Sequence, residues 1–234
     1  MAETFDRRNF FRHAAPFLPA ALAACGWRGG PELQSVFDRV IRFNNAAGEK
    51  LLAVRGATAP PHQVVAGRMP SYFISNRMPV LADPSAWRLE VGGLVRVPTL
   101  FSSEMLRELP HIDYSVEHHC VEGWSAVAAW SGIPFAVVAD LVRPLPAARY
   151  VKFESFDKGY MNGWDIASAM HPQTILADGF GGRPIAADHG APLRLYSPIK
   201  LGYKLTKYLT RITFTAEKPG GYWEDQGYPW FGGL

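Results

Sequence analysis

Cysteine is scarce in this chain: among 234 residues only Cys25 and Cys120 carry a thiol, which excludes a small fold stapled by several disulfides. No C-x-x-C, H-E-x-x-H or C-x-x-C-H run occurs, so the sequence offers no common zinc signature and no covalent haem site. Charge of one sign is lacking too. The formal net charge is +3, and no basic stripe alternates with stacking aromatics, so nucleic acid is not an expected partner. Internal repeats, heptads and low-complexity segments are absent as well. What remains is a globular composition, 48% hydrophobic, sufficient for one large core.

The N-terminus reads as an address rather than as fold. Arg7 and Arg8, followed by Asn9, Phe10 and Phe11, form a twin-arginine motif, and the apolar run from Ala14 to Ala24 is too short to span a bilayer. Leu22-Ala23-Ala24-Cys25 resembles a lipoprotein cleavage box. The expected organisation is therefore an export signal over residues 1–24, an N-terminal helix and connector over 25–70, and the main domain over 71–234. The expected location is the periplasm, with a lipid anchor at Cys25.

Periodicity sketches an α+β order of short strands and short helices. Val36, Phe37, Val40, Ile41, Leu51, Leu52 and Val54 recur at helical spacing between Pro31 and Arg55, a docking helix stopped by Gly56. Tyr72 to Ser75 reads as a strand broken by Pro79. Trp87, Leu89 and Val91 alternate before a Gly-Gly turn, Ser102 or Ser103 caps a short helix through Leu109, and Pro134 opens another. Tyr150–Phe156 and Thr174–Leu176 read as strands, Trp164–Met170 as a short helix.

Two stretches carry the chemistry. In the first, Ile112, Tyr114, Val116, His118 and Cys120 alternate with more polar positions, so a strand places His118 and Cys120 on one face and His119 on the other. A lone thiol in an oxidising compartment invites protection, and a soft thiolate is a fitting ligand for a redox metal. A cationic imidazole beside it would lower the thiol pKa. Three other readings stay open: an inert buried cysteine, a thiol enzyme using His118 or His119 as base, and a zinc site, which the opposed histidines disfavour. In the second stretch, Arg194, Lys200, Lys204 and Lys207 follow Asp188-His189-Gly190. Such a cluster can cradle a phosphate, or simply form a solvated basic face.

Taken together, HHCVEGWS, AADHGAPLRL, PIKLGYKLTK and GYWEDQGY, in that order between His118 and Tyr228, resemble the sulfite oxidase family of molybdopterin enzymes. The likeness covers roughly Pro70 to Tyr228. It implies a sulfite oxidase-type domain of mixed short strands and helices without a C-terminal dimerisation domain, a Mo-molybdopterin cofactor, and two-electron oxygen-atom transfer on a small sulfur compound or S-oxide. By that resemblance Cys120 matches the molybdenum ligand. Asn76, Arg77, Ser155, His189, Arg194, Lys204, Leu205, Thr206 and Lys207 match or flank positions that hold the pterin and its phosphate. Tyr228 matches the tyrosine facing substrate, with His118 and His119 setting local charge.

Ser75 stands where sulfite oxidases carry an arginine for their anionic substrate, which with the Cys120 context points to the periplasmic methionine sulfoxide reductase branch. Asp188-His189 and Tyr228 lean instead towards sulfite oxidases. Electrons would pass through a separate protein, a cytochrome or a membrane haem subunit, and the chain is expected to be a monomer. The alternatives are a sulfite dehydrogenase of the same family and a non-enzymatic, lipid-anchored binding protein with a degenerate pocket.

Overall fold

The computed structural model describes residues 31–55, 61 and 69–233. The export signal, Cys25 and most of the Ala57–Pro70 connector lie outside the described residues. Two units are distinguished, one ending at Phe43 and one beginning at Asn44.

Helix α1 (Pro31–Arg55) begins with proline in its first turn, where a missing N–H costs nothing. In its first unit Val36, Val40 and Phe43 are exposed. In the second unit Asn45 accepts a hydrogen bond from the Phe231 N–H at 2.9 Å. A Cβ on Gly48 would lie 2.7 Å from the Phe231 ring, so this part of α1 packs tightly on the Phe231 segment. Among the described residues no helix is long and apolar enough to cross a membrane.

The second unit is built on two sheets. One has the order β2-β1-β10-β5-β6, comprising β2 (Thr99–Ser102), β1 (Arg88–Gly93), β10 (Leu209–Thr215), β5 (Tyr150–Ser155) and β6 (Met161–Asp165). Its β1 and β10 run parallel, whereas the other pairs are antiparallel. The other sheet has the order β3-β4-β7-β8, comprising β3 (Ile112–His119), β4 (Ser125–Pro134), β7 (Ile175–Phe180) and β8 (Arg183–Pro184), with β9 (Arg194–Tyr196) also paired to β7. Period-two burial marks the first sheet: Leu89 and Val91 are wholly buried while Arg88 and Glu90 face solvent.

Short helices cap the sheets. Ser102 accepts from the Met105 N–H at 3.2 Å and starts α2 (Ser103–Arg107), which stops two residues short of the expected Leu109. Pro134 precedes α3 (Phe135–Val142), whose Phe135, Val138, Ala139 and Val142 enter the core. Two expectations fail. Tyr72–Ser75 is not a strand, because the Asp157 carboxylate, rather than a ladder partner, takes the Ile74 and Ser75 N–H groups, at 2.8 and 3.1 Å. Trp164 belongs to β6 rather than to the helix α4 (Ile166–Ala169), since its indole is drawn into the core and its N–H donates to the Lys204 carbonyl at 3.0 Å.

Gly132 lies at a register shift between β4 and β7, and a Cβ there would stand 2.3 Å from the Leu176 carbonyl oxygen. Gly132→Ala is therefore expected to force the two strands apart and destabilise the protein by about 1–3 kcal/mol. Chemical denaturation of the variant and the wild type measures this directly.

Candidate active site

The β3–β4 hairpin delivers the thiol. β3 ends at His119, and the chain turns over Cys120–Gly123, with the Gly123 N–H donating to the Cys120 carbonyl at 3.1 Å and the Cys120 N–H to the Trp124 carbonyl at 3.0 Å. Gly123 adopts φ +88, a left-handed conformation that favours glycine. Cys120 is thereby held at the hairpin tip, half-buried, with its sulfur on the wall of a cavity of about 460 Å³.

Other parts of the chain line that cavity as well. Ser155 and Asp157 come from the end of β5, Arg194 from β9, Leu205, Lys207 and Tyr208 from the run before β10, and Tyr222, Trp223 and Tyr228 from the C-terminal loop. Asp157 is itself almost wholly buried and also holds Ser75 through its hydroxyl. That link keeps Tyr72, Phe73 and Ile74 against the cavity rim.

Two cations line the cavity. Arg194 is 2% exposed, and its guanidinium donates to the backbone carbonyls of His189 at 2.9 Å, Leu205 at 3.4 Å and Leu195 at 3.5 Å. It lies 4.8 Å from the Trp130 ring centroid, and among the described residues no carboxylate pairs with it. Burial lowers its pKa to about 10. Lys207 donates to Ser71, to the Tyr72 carbonyl at 2.8 Å and to the Asp188 carbonyl at 2.8 Å. Burial, then the neighbouring Arg194 charge, lower the Lys207 pKa to about 7.

Burial and then the Arg194 charge hold His118 far below its ordinary range, at about 3. Its ring is therefore neutral, wedged between Trp124 and Tyr196 with centroids at 5.5 and 6.0 Å. The expected thiol activation by a cationic imidazole is not found. Burial, and the Glu122 carboxylate whose oxygen lies 3.8 Å from the sulfur, instead push the Cys120 thiol up.

The structure brings together Cys120, His118, Ser155, Arg194, Leu205, Lys207 and Tyr228 around one cavity. Others stand apart. Asn76 and Arg77 are exposed outside it, and His119 points to the other face, 4.0 Å from Glu117. His189 contributes its carbonyl to Arg194 while its ring packs on Phe180 at 4.3 Å. Thr206 is buried behind the wall.

Lys204 is the clearest departure from expectation. It is 0% exposed, and its ammonium donates to the Gly163 carbonyl at 2.9 Å, the Trp230 carbonyl at 2.7 Å and the Glu224 carboxylate. It clamps the C-terminal loop to β6 rather than reaching the cavity. Lys200 does similar work, donating to the Phe231 carbonyl at 2.7 Å. The basic run is thus split by fold: two cations at the cavity, two under the tail.

Sequence reasoning passed over Asp157, Tyr160, Tyr208, Glu122 and Trp124. The aromatic lining had a trace in GYWEDQGY and in Trp124 beside Cys120. Asp157 had none, because its role depends on a contact with Ile74 and Ser75 far away in the chain.

These residues suit an anionic organic cofactor attached to a metal. A buried guanidinium without a carboxylate is costly unless an anion compensates it. Three nearby buried polar atoms also have no partner: His189 Nδ1, Thr206 Oγ1 and Tyr208 Oη. A soft sulfur stands on the same cavity wall. The zinc reading fails by contrast, since the described residues contain no group of three or more His, Cys, Asp or Glu side chains able to hold a metal ion.

Comparison with known proteins gives the family and the fold. Residues 75–223 match the family described as "Oxidoreductase molybdopterin binding domain". The chain is 38% identical over 222 residues to the "Putative protein-methionine-sulfoxide reductase subunit YedZ1" of Azospira oryzae, covering 91% of this chain and 81% of that protein. It is 35% identical over 156 residues to the "Protein-methionine-sulfoxide reductase catalytic subunit MsrP" of Xanthomonas axonopodis, covering 60% of this chain and 48% of that one. This chain therefore spans about half the length of the Xanthomonas relative. Its fold is similar to the crystal structure of the sulfane dehydrogenase SoxCD from Paracoccus pantotrophus, with a TM-score of 0.56 at 20% identity over 59% of this chain and 40% of that one.

The chain belongs to the molybdopterin-binding oxidoreductase family, the sulfite oxidase family in the broad sense. It is an oxidoreductase whose cofactor is molybdopterin.

The assignment of Lys204 to the tail has a direct check. Glu224→Ala strips a buried ammonium of its carboxylate and is expected to cost about 3–5 kcal/mol, whereas pairing it with Lys204→Met restores much of the loss. Thermal unfolding of the single and double variants measures the difference.

Proposed function

We propose that this oxidoreductase reduces a neutral S-oxide, methionine sulfoxide being the leading substrate, in the periplasm after export through the twin-arginine route. The names of the Azospira and Xanthomonas relatives support the substrate. The N-terminal Arg7-Arg8 and the Leu22–Cys25 box support export and a lipid anchor at Cys25. The overall change consumes two electrons and two protons, releasing the sulfide and water. The electrons come from a separate haem protein, since the sequence has no haem attachment motif. The protein acts as a monomer.

The observation that carries the site is the shared cavity wall: it bears both the Cys120 thiol and the Arg194 guanidinium, which no carboxylate among the described residues pairs with. Arg194 and Lys207, with Ser155, the Leu205 backbone and Tyr208, would hold the pterin and its phosphate, and Cys120 would ligate the metal. Bound there, the cofactor supplies the two-electron redox change and a metal centre for oxygen transfer. The rest falls to the chain. Tyr228, set at 5.3 Å ring distance from both Tyr203 and Trp223, orients the S-oxide oxygen through its hydroxyl. Tyr72, Phe73 and Trp223 offer aromatic surface to the alkyl groups.

Two substitutions separate the roles. Cys120→Ser abolishes turnover of methionine sulfoxide while the pterin stays bound, read as stoichiometric pterin fluorescence after acid release. Full activity would remove Cys120 from the metal. Arg194→Ala leaves a buried phosphate without its partner and loses most of the cofactor, and metal analysis finding about one molybdenum per chain in that variant would refute the assignment.

A further inference from the structure

Building on the reading of this site as an S-oxide reductase pocket, we infer that Glu122 sets the charge class of the substrate, its carboxylate turning away sulfur oxyanions and admitting neutral S-oxides. The charged groups lining the cavity are Arg194 and Lys207 on one side of the balance, Glu122 and Asp157 on the other. The two cations are turned towards backbone: Arg194 towards the His189 and Leu205 carbonyls, Lys207 towards those of Tyr72 and Asp188. A cofactor phosphate held on them would occupy both cations and leave neither free for a second anion.

Elsewhere the cations that might attract an oxyanion are committed. Lys200 and Lys204 are buried beneath the C-terminal loop, and Arg77 lies outside the cavity. Asp157 is spent on Ile74 and Ser75. Glu122 differs from it. One of its oxygens accepts from the Trp124 indole at 3.0 Å and stands 3.8 Å from the Cys120 sulfur, on the cavity wall and exposed to arriving solute. The remainder of that wall is aromatic, with Tyr72, Tyr222, Trp223 and Tyr228, a lining suited to the methyl and methylene groups of a sulfoxide. An incoming sulfur oxyanion would meet a like charge beside the reacting centre; a neutral S-oxide would not.

Glu122→Gln isolates the charge, because the amide oxygen can still accept from Trp124, and Glu122→Asp retains the charge on a shorter stem. The measurement is titration calorimetry on molybdenum-loaded protein at low ionic strength, with sulfate and dimethyl sulfoxide as unreactive and neutral probes. Unit charges about 4 Å apart in water interact by enough to shift an affinity roughly fivefold. Glu122→Gln is thus expected to tighten sulfate about fivefold or more while dimethyl sulfoxide moves less than about twofold. The sulfate gain should shrink as salt screens it, and Glu122→Asp should resemble the wild type.

Sulfate affinity that is unchanged or undetectable in both wild type and Glu122→Gln overturns the inference, as does an equal shift for both probes. A parallel assay of methionine sulfoxide reduction keeps the two readings apart. If the loaded wild type fails to reduce it while sulfate still responds to Glu122→Gln, the substrate proposal falls and the charge assignment stands.

Discussion

An uncompensated guanidinium is the constraint around which this fold is arranged. Arg194 is buried on a short strand, stacked near Trp130 and held only by carbonyl oxygens. Carbonyl dipoles offset part of the desolvation of a cation but do not neutralise it. The site thus stores a demand for negative charge, and the chain meets it with a ligand rather than with a side chain. Everything else on the cavity wall is placed relative to that demand: the sulfur on a hairpin from the second sheet, the aromatic loop from beyond the last strand of the first.

The same economy appears in the two sheets. Neither alone forms the cavity, since Cys120 just past β3 and Arg194 on β9 come from the second sheet while Ser155 at the end of β5 and Asp157 just past it come from the first. The rigid parts are the strands, and the reactive groups sit just past their ends. This is the usual compromise between a fixed frame and exposed chemistry.

Much of this was legible in the chain. Alternation from Ile112 to Cys120 gave β3 and its outlet correctly because a strand's period-two pattern is local and Val116 and His118 are buried together. The caps at Ser102 and Pro134 were readable for the same reason. What escaped was long-range. Tyr72–Ser75 has the composition of a strand, yet its backbone donors are claimed by a carboxylate more than eighty positions onward. Lys204 and Lys207 look equivalent in sequence, and only the packing of Trp230 and Glu224 over one of them tells a clamp from a cavity cation. The charge of His118 could not be read at all, because neutrality there follows from burial and from Arg194, a neighbour only in the folded state.

The wall bearing Tyr222, Trp223 and Tyr228 is stitched down by Lys200 and Lys204 through the carbonyls of Phe231 and Trp230, and β10 completes its sheet by lying parallel to β1. The β1–β10 pairing joins an early and a late portion of the polypeptide. During synthesis, then, the thiol hairpin emerges long before the enclosure that shelters it, and a ribosome paused ahead of Leu209 would present an open trough instead of a pocket. Lys207, Tyr208 and the aromatic loop are thus among the last parts of the cavity wall to be synthesised.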